Sequence, residues 1–199
     1  MTLEIRPLGP GTRDDFLRFM EGEAFADNPK WSSCYCQFLY VDHNRVDWKA
    51  RTAEENRAQA CERISGGRMQ GYLAYRDGRV VGWCNAAPRE MLDSFADEPD
   101  PDAARLGQVT CFVIAKAHRR TGVARALLEA ACEGLRAQGL AIAEAMPRAE
   151  AGTDAQEHFG PRRLFESAGF APVRTTDDGL VLMRRPLAPA SQLSKEIAP

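Results

Sequence analysis

The spacing of apolar residues along this 199-residue chain predicts an alternation of strands and helices. Near the N-terminus, LEIRPL alternates apolar and polar residues and then reaches a proline, which is typical of a short strand. Residues 12–24 carry Phe16, Phe19 and Met20 at helical spacing behind two acidic residues, so a first helix is predicted there. The aromatic-rich segment that follows, DNPKWSSCYCQFLYVDHN, has no period and predicts no regular element.

The rest of the chain is more regular. AEENRAQACERI predicts a helix over 53–64 that ends at Gly66-Gly67, and GYLAY and RVVGWCNAA predict a hairpin closed by Asp77-Gly78. Beyond an acidic loop, DEPDPDAA, the predicted elements are a strand at 108–115, a helix at 122–138, a strand at 141–146, a helix at 161–168, and a closing pair APVRT and LVLMRRPL. We expect one domain over 1–187 and a mobile tail over 188–199.

Composition and net charge argue against several classes of function. The chain is 44% hydrophobic and carries a formal charge of −2, so no general basic field favours nucleic acid or an anionic membrane as a partner. No apolar run approaches the roughly 20 residues of a spanning helix, and the N-terminus lacks the order of a signal peptide. We therefore expect a cytoplasmic protein whose six cysteines are mostly reduced and structural.

The sequence HRRTGVARALLEAA at 118–131 carries the strongest functional signal. A buried strand, CFVIA, turns through Gly122 directly into an alanine-rich helix, which leaves the first helical N–H groups unpaired at the positive end of the helix dipole. Arg119 and Arg120 can neutralise a phosphate there, and Ala124 keeps the first turn uncluttered. The Walker loop and the three-glycine dinucleotide fingerprint are both excluded by spacing. Glu144 stands at the end of the next strand, about where the dinucleotide-binding fold places its ribose-binding acid. A nucleotide-binding module is therefore a second interpretation.

The residues Arg119-Arg120-Thr121-Gly122-Val123-Ala124 form the pattern Arg-x-x-Gly-x-Ala. Together with the strand before it, LFESAGF after it and the two hairpins, this resembles the acetyl-CoA pyrophosphate loop and surroundings of the GNAT family of N-acetyltransferases, over about residues 1–187. The resemblance implies an α/β fold with a mixed, mostly antiparallel sheet of six to seven strands. It also implies helices on both faces and a splay between the fourth and fifth strands.

The same resemblance implies a reaction and a cofactor site. Acetyl-CoA is the expected co-substrate, and its acetyl group is expected to pass to a primary amine of a small molecule or peptide by direct attack in a ternary complex. Free backbone groups of Phe112, Val113 and Ile114 are expected to pair with the pantetheine arm, with an N–H near Val113 polarising the thioester. A non-catalytic acyl-CoA or nucleotide sensor is the alternative, and a homodimer is one of the assemblies left open.

Two positions depart from the family pattern. Phe165 stands where many members have a tyrosine that protonates the departing thiolate, and Gln108 stands where histone-type members have a glutamate base. Glu144 is our candidate base, acting directly or through water, with a solvent-facing strand residue as the alternative. His158 stands at a position that is often asparagine in the family, and it is expected either to bond the cofactor arm or to be a surface residue.

The aperiodic segment after the first helix lies where the resemblance places the acceptor-binding loop. Either its side chains line an apolar acceptor pocket opposite the end of the hairpin, or they anchor a long loop on the core. The candidate acceptor residues are Trp31, Cys34, Tyr35, Trp83, Asn85 and Arg89. For Cys111 the sequence favours core packing over a nucleophile. For Cys34, Cys36, His43 and Cys61 it favours no metal, because the ligand spacing of a zinc site is absent.

Overall fold

A computed structural model describes residues 2–150, 153 and 156–187. The described residues form seven strands and four α-helices, and short 3₁₀ turns occupy much of the rest. The strands are β1 Leu3–Pro7, β2 Gly71–Arg76, β3 Arg79–Pro88, β4 Leu106–Ile114, β5 Ile142–Ala145, β6 Ala171–Thr175 and β7 Val181–Pro186. The helices are α1 Arg13–Glu21, α2 Ala53–Ser65, α3 Val123–Ala137 and α4 Arg162–Ser167. The predicted tail, residues 188–199, lies outside the described residues.

All seven strands belong to one sheet, in the order β1-β2-β3-β4-β5-β7-β6. Each neighbouring pair is antiparallel except β4 and β5, which are parallel. The β2–β3 hairpin closes at Asp77 and Gly78, with φ of 49° and 75°, as its Asp-Gly turn predicts. The mixed, mostly antiparallel sheet predicted from the sequence is therefore confirmed.

Helices cover both faces of the sheet, and each face has its own apolar core. On one face α3 packs on the sheet through residues such as Leu127, Leu128 and Leu135, which have no exposed surface. On the other face α1 and α2 enclose a second core around Phe16 and Trp83. Within the described ranges, no helix is long and apolar enough to cross a membrane.

The first helix is shorter than its sequence pattern suggests. α1 ends at Glu21, and Gly22 separates it from a 3₁₀ turn at Glu23–Phe25. The aperiodic segment beyond it folds into further 3₁₀ turns, which explains why no helical or strand period is present. Arg63 of α2 fixes part of this segment by donating hydrogen bonds to the Gln37 side chain and the Tyr40 carbonyl.

The splay between β4 and β5 positions the functional site. These strands pair only at their first residues, from Leu106 opposite Ile142 to Gln108 opposite Glu144. β5 then ends at Ala145, whereas β4 continues to Ile114. In the part of the chain that the structure describes, no strand pairs with the last six residues of β4 on this side. The sheet therefore forks where the chain leaves β4 for α3.

Candidate functional site

The turn between β4 and α3 exposes a row of backbone donors. Gly122 is the residue before the helix, with φ of 85° and ψ of −4°, and no side chain caps the helix start. The first bond of the helix runs from the Ala126 N–H to the Gly122 carbonyl, at 3.1 Å, so the N–H groups of residues 123–125 have no partner inside the helix. Apart from Gly122 itself and its two chain neighbours, no atom of the described residues lies within 4 Å of the place that a Cβ on Gly122 would take. An anion can therefore approach these amides closely.

A cavity of about 1070 Å³ lies beside this turn. Its walls come from β4, the start of α3, the loop around α4 and the segment that follows α1. The predicted site residues that line it are Trp31, Phe112, Val113, Ile114, Arg119, Arg120, Gly122, Val123, Ala124 and His158. Thr121 is the one residue of the predicted loop outside this lining; its hydroxyl donates to the His118 carbonyl at 2.7 Å, and its own carbonyl accepts from Arg76 at 3.1 Å.

The cavity is basic although the whole chain is not. Six arginines line it against three acidic residues. Arg119 does not face the cavity as a free charge, since its two terminal nitrogens lie 2.6 and 2.9 Å from the carboxylate of Asp27 and its Nε donates to the Ile114 carbonyl. Hydrogen bonding to Arg119 lowers the pKa of the Asp27 carboxyl. Arg120, which is exposed and has a φ of 60°, contributes positive charge at the same turn.

The register of β4 decides which backbone groups face the fork. The Ala115 N–H donates to the Val81 carbonyl at 3.0 Å, and Val113 is paired with Trp83 two residues back. Because hydrogen-bonded and non-bonded positions alternate in an antiparallel pair, the N–H of Val113 points toward β3. The N–H groups of Phe112 and Ile114 point toward the fork. Among the three residues expected to offer backbone groups to the fork, the N–H donors are thus those of Phe112 and Ile114, and the N–H of Val113 is used within the sheet.

His158 lies on the cavity wall, on a 3₁₀ turn at Gln156–Phe159 that packs against β4. Its ring meets the ring of Trp31 edge-on, with centroids 4.4 Å apart and planes at 84°. Trp31 belongs to the segment after α1, so this contact joins two parts of the cavity wall that are far apart in sequence. The structure thus brings His158 into the cavity, where a cofactor arm could reach it.

The two positions that depart from the family pattern are both buried. Phe165 has no exposed surface and packs its ring against Phe112 and Phe170, with centroids 6.0 and 5.3 Å apart. Gln108 is 1% exposed, and its amide donates to the carboxylate of Glu144. Neither residue presents an ionisable group to the cavity, in agreement with the sequence.

Glu144 lies in an ion-pair cluster behind the fork. It is 1% exposed, and its carboxylate is 2.6 Å from Arg184 and 3.4 Å from Arg89. Arg184 also pairs with Asp100 and Asp102. Glu144 is not among the residues that line the cavity, and both of its carboxylate oxygens accept hydrogen bonds from neighbouring side chains. The predicted base role of Glu144 therefore has no support in this geometry.

Of the predicted acceptor residues, only Trp31 lines the cavity. Trp83 and Asn85 are 0% and 1% exposed, so they cannot form the wall of a pocket open to a substrate. Trp83 packs on Phe16 and Asn85 donates to the Tyr40 hydroxyl. Arg89 is held by Glu144 and by Glu98. The predicted acceptor wall is therefore wrong for Trp83 and Asn85, which are buried in the core, and Arg89 is held in an ion-pair cluster outside the cavity lining.

Tyr35 and three cysteines, Cys36, Cys84 and Cys132, are buried, and the other three cysteines are partly buried. The Tyr35 hydroxyl donates to Glu21 at 3.2 Å, and burial raises the pKa of the Cys34 thiol to about 11. A hydrogen bond with the Cys111 thiol, together with burial, raises the pKa of Cys36 well above its usual value. All six cysteines are free thiols, and no group of three or more His, Cys, Asp or Glu side chains among the described residues is placed to hold a metal ion.

Several cavity residues were missed by the sequence argument. Arg125 follows the predicted loop by one residue and could have been included from its position on the first turn of α3. Asp27, Arg148 and Arg163 carry no local signal, since they come from three separate segments that only the fold brings together. Of these, Asp27 makes the most specific contact, through Arg119.

Comparisons with known proteins agree with this geometry. Residues 32–170 match the family model described as "Acetyltransferase (GNAT) family". A GCN5-related N-acetyltransferase from Kribbella flavida is similar at 22% identity and a TM-score of 0.56, covering 92% of this chain and 97% of that chain. A putative acetyltransferase from Salmonella typhimurium, solved with its cofactor acetyl-CoA, is similar at 14% identity and a TM-score of 0.57, covering 94% and 95%.

A PaiA N-acetyltransferase from Thermoplasma acidophilum, in complex with coenzyme A, is similar at 13% identity and a TM-score of 0.57, covering 94% of this chain and 99% of that chain. Comparison with curated proteins finds no match. At these identities the structural similarities show the fold, and the family match rests on the sequence over 139 of the 199 residues (32 to 170).

Proposed function

The chain belongs to the GNAT acetyltransferase family, and from that premise we propose that it transfers the acetyl group of acetyl-CoA to a primary amine of a small molecule or peptide. The attack would be direct, in a ternary complex. The observation that carries this proposal is the juxtaposition of the uncapped start of α3 with the unpaired edge of β4 in one basic cavity.

The residues present fit a coenzyme A diphosphate. The amides of Val123, Ala124 and Arg125 point out of the helix start, and the space beside Gly122 is clear. Backbone donors and a helix dipole balance only part of the charge of a diphosphate. Arg120 and Arg125, both on the cavity wall, supply further positive charge.

The unpaired edge of β4 fits an extended arm. The N–H groups of Phe112 and Ile114 face the fork and can pair with amide groups as an added strand does. Bound acetyl-CoA would supply an activated acyl group in the fork. The protein's own contribution is to align the amine with that group in a cavity that His158 and Trp31 help to shield from water.

The proton that the amine loses has no carboxylate or tyrosine to receive it at the usual family positions. His118 and His158 both line the cavity, and an imidazole is the side chain that ordinarily exchanges protons near neutral pH; of the two, His158 packs against Trp31. We therefore propose that the amine enters unprotonated and that His158, or water beside it, carries the proton.

The test is a turnover assay with acetyl-CoA and a panel of primary amines, read by loss of thioester absorbance. This readout avoids interference from the six protein thiols. We expect at least one amine to accelerate thioester loss above the rate without protein. Tight coenzyme A binding with no acceleration across a broad panel would instead support a sensor module, the alternative favoured by Phe165 and Gln108 at the positions where a tyrosine and a glutamate are expected.

A further inference from the structure

Arg119, in the turn between β4 and α3, already forms an ion pair with a residue from a distant part of the sequence, Asp27. Three of its hydrogen bonds are satisfied by the Ile114 carbonyl and by both oxygens of Asp27. Asp27 comes from the segment after α1, far from the loop in sequence, and both residues line the same cavity as Gly122. The Asp27 carboxylate is therefore already hydrogen-bonded to the guanidinium that the sequence predicts to bind the diphosphate.

We propose that Asp27 is a positioning residue that controls coenzyme A binding through Arg119, with carboxylate and diphosphate exchanging at one guanidinium. This inference rests on the proposed function, because it takes the diphosphate to lie at the Gly122 turn. The fork of a guanidinium matches a carboxylate or a diphosphate along one edge, so the two anions compete for the same donors.

Charge reinforces the competition. Hydrogen bonding to Arg119 lowers the pKa of the Asp27 carboxyl, and the ion pair leaves only 25% and 28% of the Arg119 and Asp27 side chains exposed. A diphosphate entering the cavity would meet this carboxylate at close range unless it moved away. If the diphosphate replaces the Asp27 carboxylate at Arg119, the carboxylate moves into solvent and the repulsion between these two anions is relieved.

The exchange would also change the surroundings of Trp31. Asp27 and Trp31 lie on one segment, with Asp27 held to the phosphate loop and Trp31 held edge-on against His158. Ala24, Phe25 and Asn28 of the same segment line the cavity as well. Releasing Asp27 therefore removes one of the contacts that hold this segment beside the cavity.

The experiment is a double-mutant cycle on coenzyme A affinity, measured by calorimetry. We expect Asp27→Asn to bind coenzyme A about fivefold more tightly than the wild type, since the competing anion is gone. Arg119→Gln should bind more weakly. In the double variant, Asp27→Asn should have no further effect, because it acts through Arg119. Asp14→Asn removes one charge from an exposed pair with Arg13 and serves as the control with unchanged affinity.

Several outcomes would overturn the inference. Unchanged or weaker binding by Asp27→Asn would mean that Asp27 does not compete, and a full effect in the Arg119→Gln background would mean simple charge repulsion. In either case the wild type still binds coenzyme A, so the proposed function survives. A wild type that does not bind coenzyme A would end both proposals.

Tryptophan emission gives a second readout that needs no variant at Arg119. Coenzyme A should change the emission of the wild type, and the change should be smaller in Asp27→Asn, where the carboxylate that binds this segment to Arg119 is already absent. Trp31→Phe should lose this response although Trp48 and Trp83 remain. A coenzyme A response that persists in Trp31→Phe would contradict the predicted release of the segment.

Discussion

Replacing Glu144 with glutamine separates a structural role from a catalytic one. The wild-type carboxylate is 1% exposed and accepts hydrogen bonds from Gln108, Arg184 and Arg89. Glu144→Gln keeps the shape but removes the charge, leaving Arg89, whose side chain is 7% exposed, with Glu98 as its only described carboxylate partner.

Removing one member of a buried ion pair typically costs 3–5 kcal/mol. We expect about 3 kcal/mol here, at the lower end of that range, because Arg184 is 20% exposed and keeps its contacts with Asp100 and Asp102. For a chain of this size that loss corresponds to a fall in Tm of roughly 6–12 °C. Glu133→Gln is the control, since it removes a surface pair with Arg136 whose side chains are 52% and 65% exposed. It should leave the stability close to that of the wild type.

The assay is urea denaturation of the three proteins, followed by the rate of thioester loss with whichever amine proves active. We expect Glu144→Gln to be destabilised while the fraction that remains folded turns over at a rate within a few-fold of the wild type. A variant as stable as the wild type whose turnover falls by about a hundredfold would refute this reasoning and restore Glu144 as a base.

Three further changes test other parts of the account. Gly122→Ala should lower coenzyme A affinity in calorimetry by about tenfold, because its φ of 85° disfavours any side chain and the new Cβ enters the cavity; unchanged affinity would contradict this. Arg120→Gln should weaken coenzyme A binding and flatten its dependence on salt, and an unaltered salt slope would count against a role for this charge. Tyr40→Phe should cost about 1–2 kcal/mol at pH 7, since the Tyr40 hydroxyl accepts hydrogen bonds from Asn85 and the Gln70 N–H. Burial raises the pKa of Tyr40 to about 12, so wild-type stability should also fall between pH 10 and 12, where only the unfolded phenol ionises, and this fall should be smaller in Tyr40→Phe.

The sequence predicted the fold well where local signals agreed with tertiary packing. The Asp77-Gly78 turn, the Gly66-Gly67 helix end and the amphipathic helix after Gly122 each have a local physical cause, and each is present. The first helix was predicted too long because apolar spacing continues past Gly22, where the backbone leaves the helical region. There the apolar residue Ala24 is buried from a 3₁₀ turn instead.

The candidate site was predictable only in its contiguous part. The residues from Arg119 to Ala124 act through backbone conformation, which a short sequence pattern encodes. Partners across the cavity do not follow from such a pattern. Nothing near Asp27 in the sequence indicates that it pairs with Arg119, and nothing near Trp83 or Asn85 distinguishes a pocket wall from a buried strand. Glu144 looked available for chemistry because its partners Arg89 and Arg184 are 55 and 40 residues away.

The central claim is that backbone amides at the start of α3 hold the diphosphate of coenzyme A. The most direct measurement is two-dimensional amide NMR of the labelled protein during titration with coenzyme A and, separately, with pantetheine. We predict that the amide signals of Val123, Ala124 and Arg125 shift strongly with coenzyme A and little with pantetheine. Signals at these three residues that stay in place while coenzyme A binds elsewhere, or that never respond to it, would contradict the account.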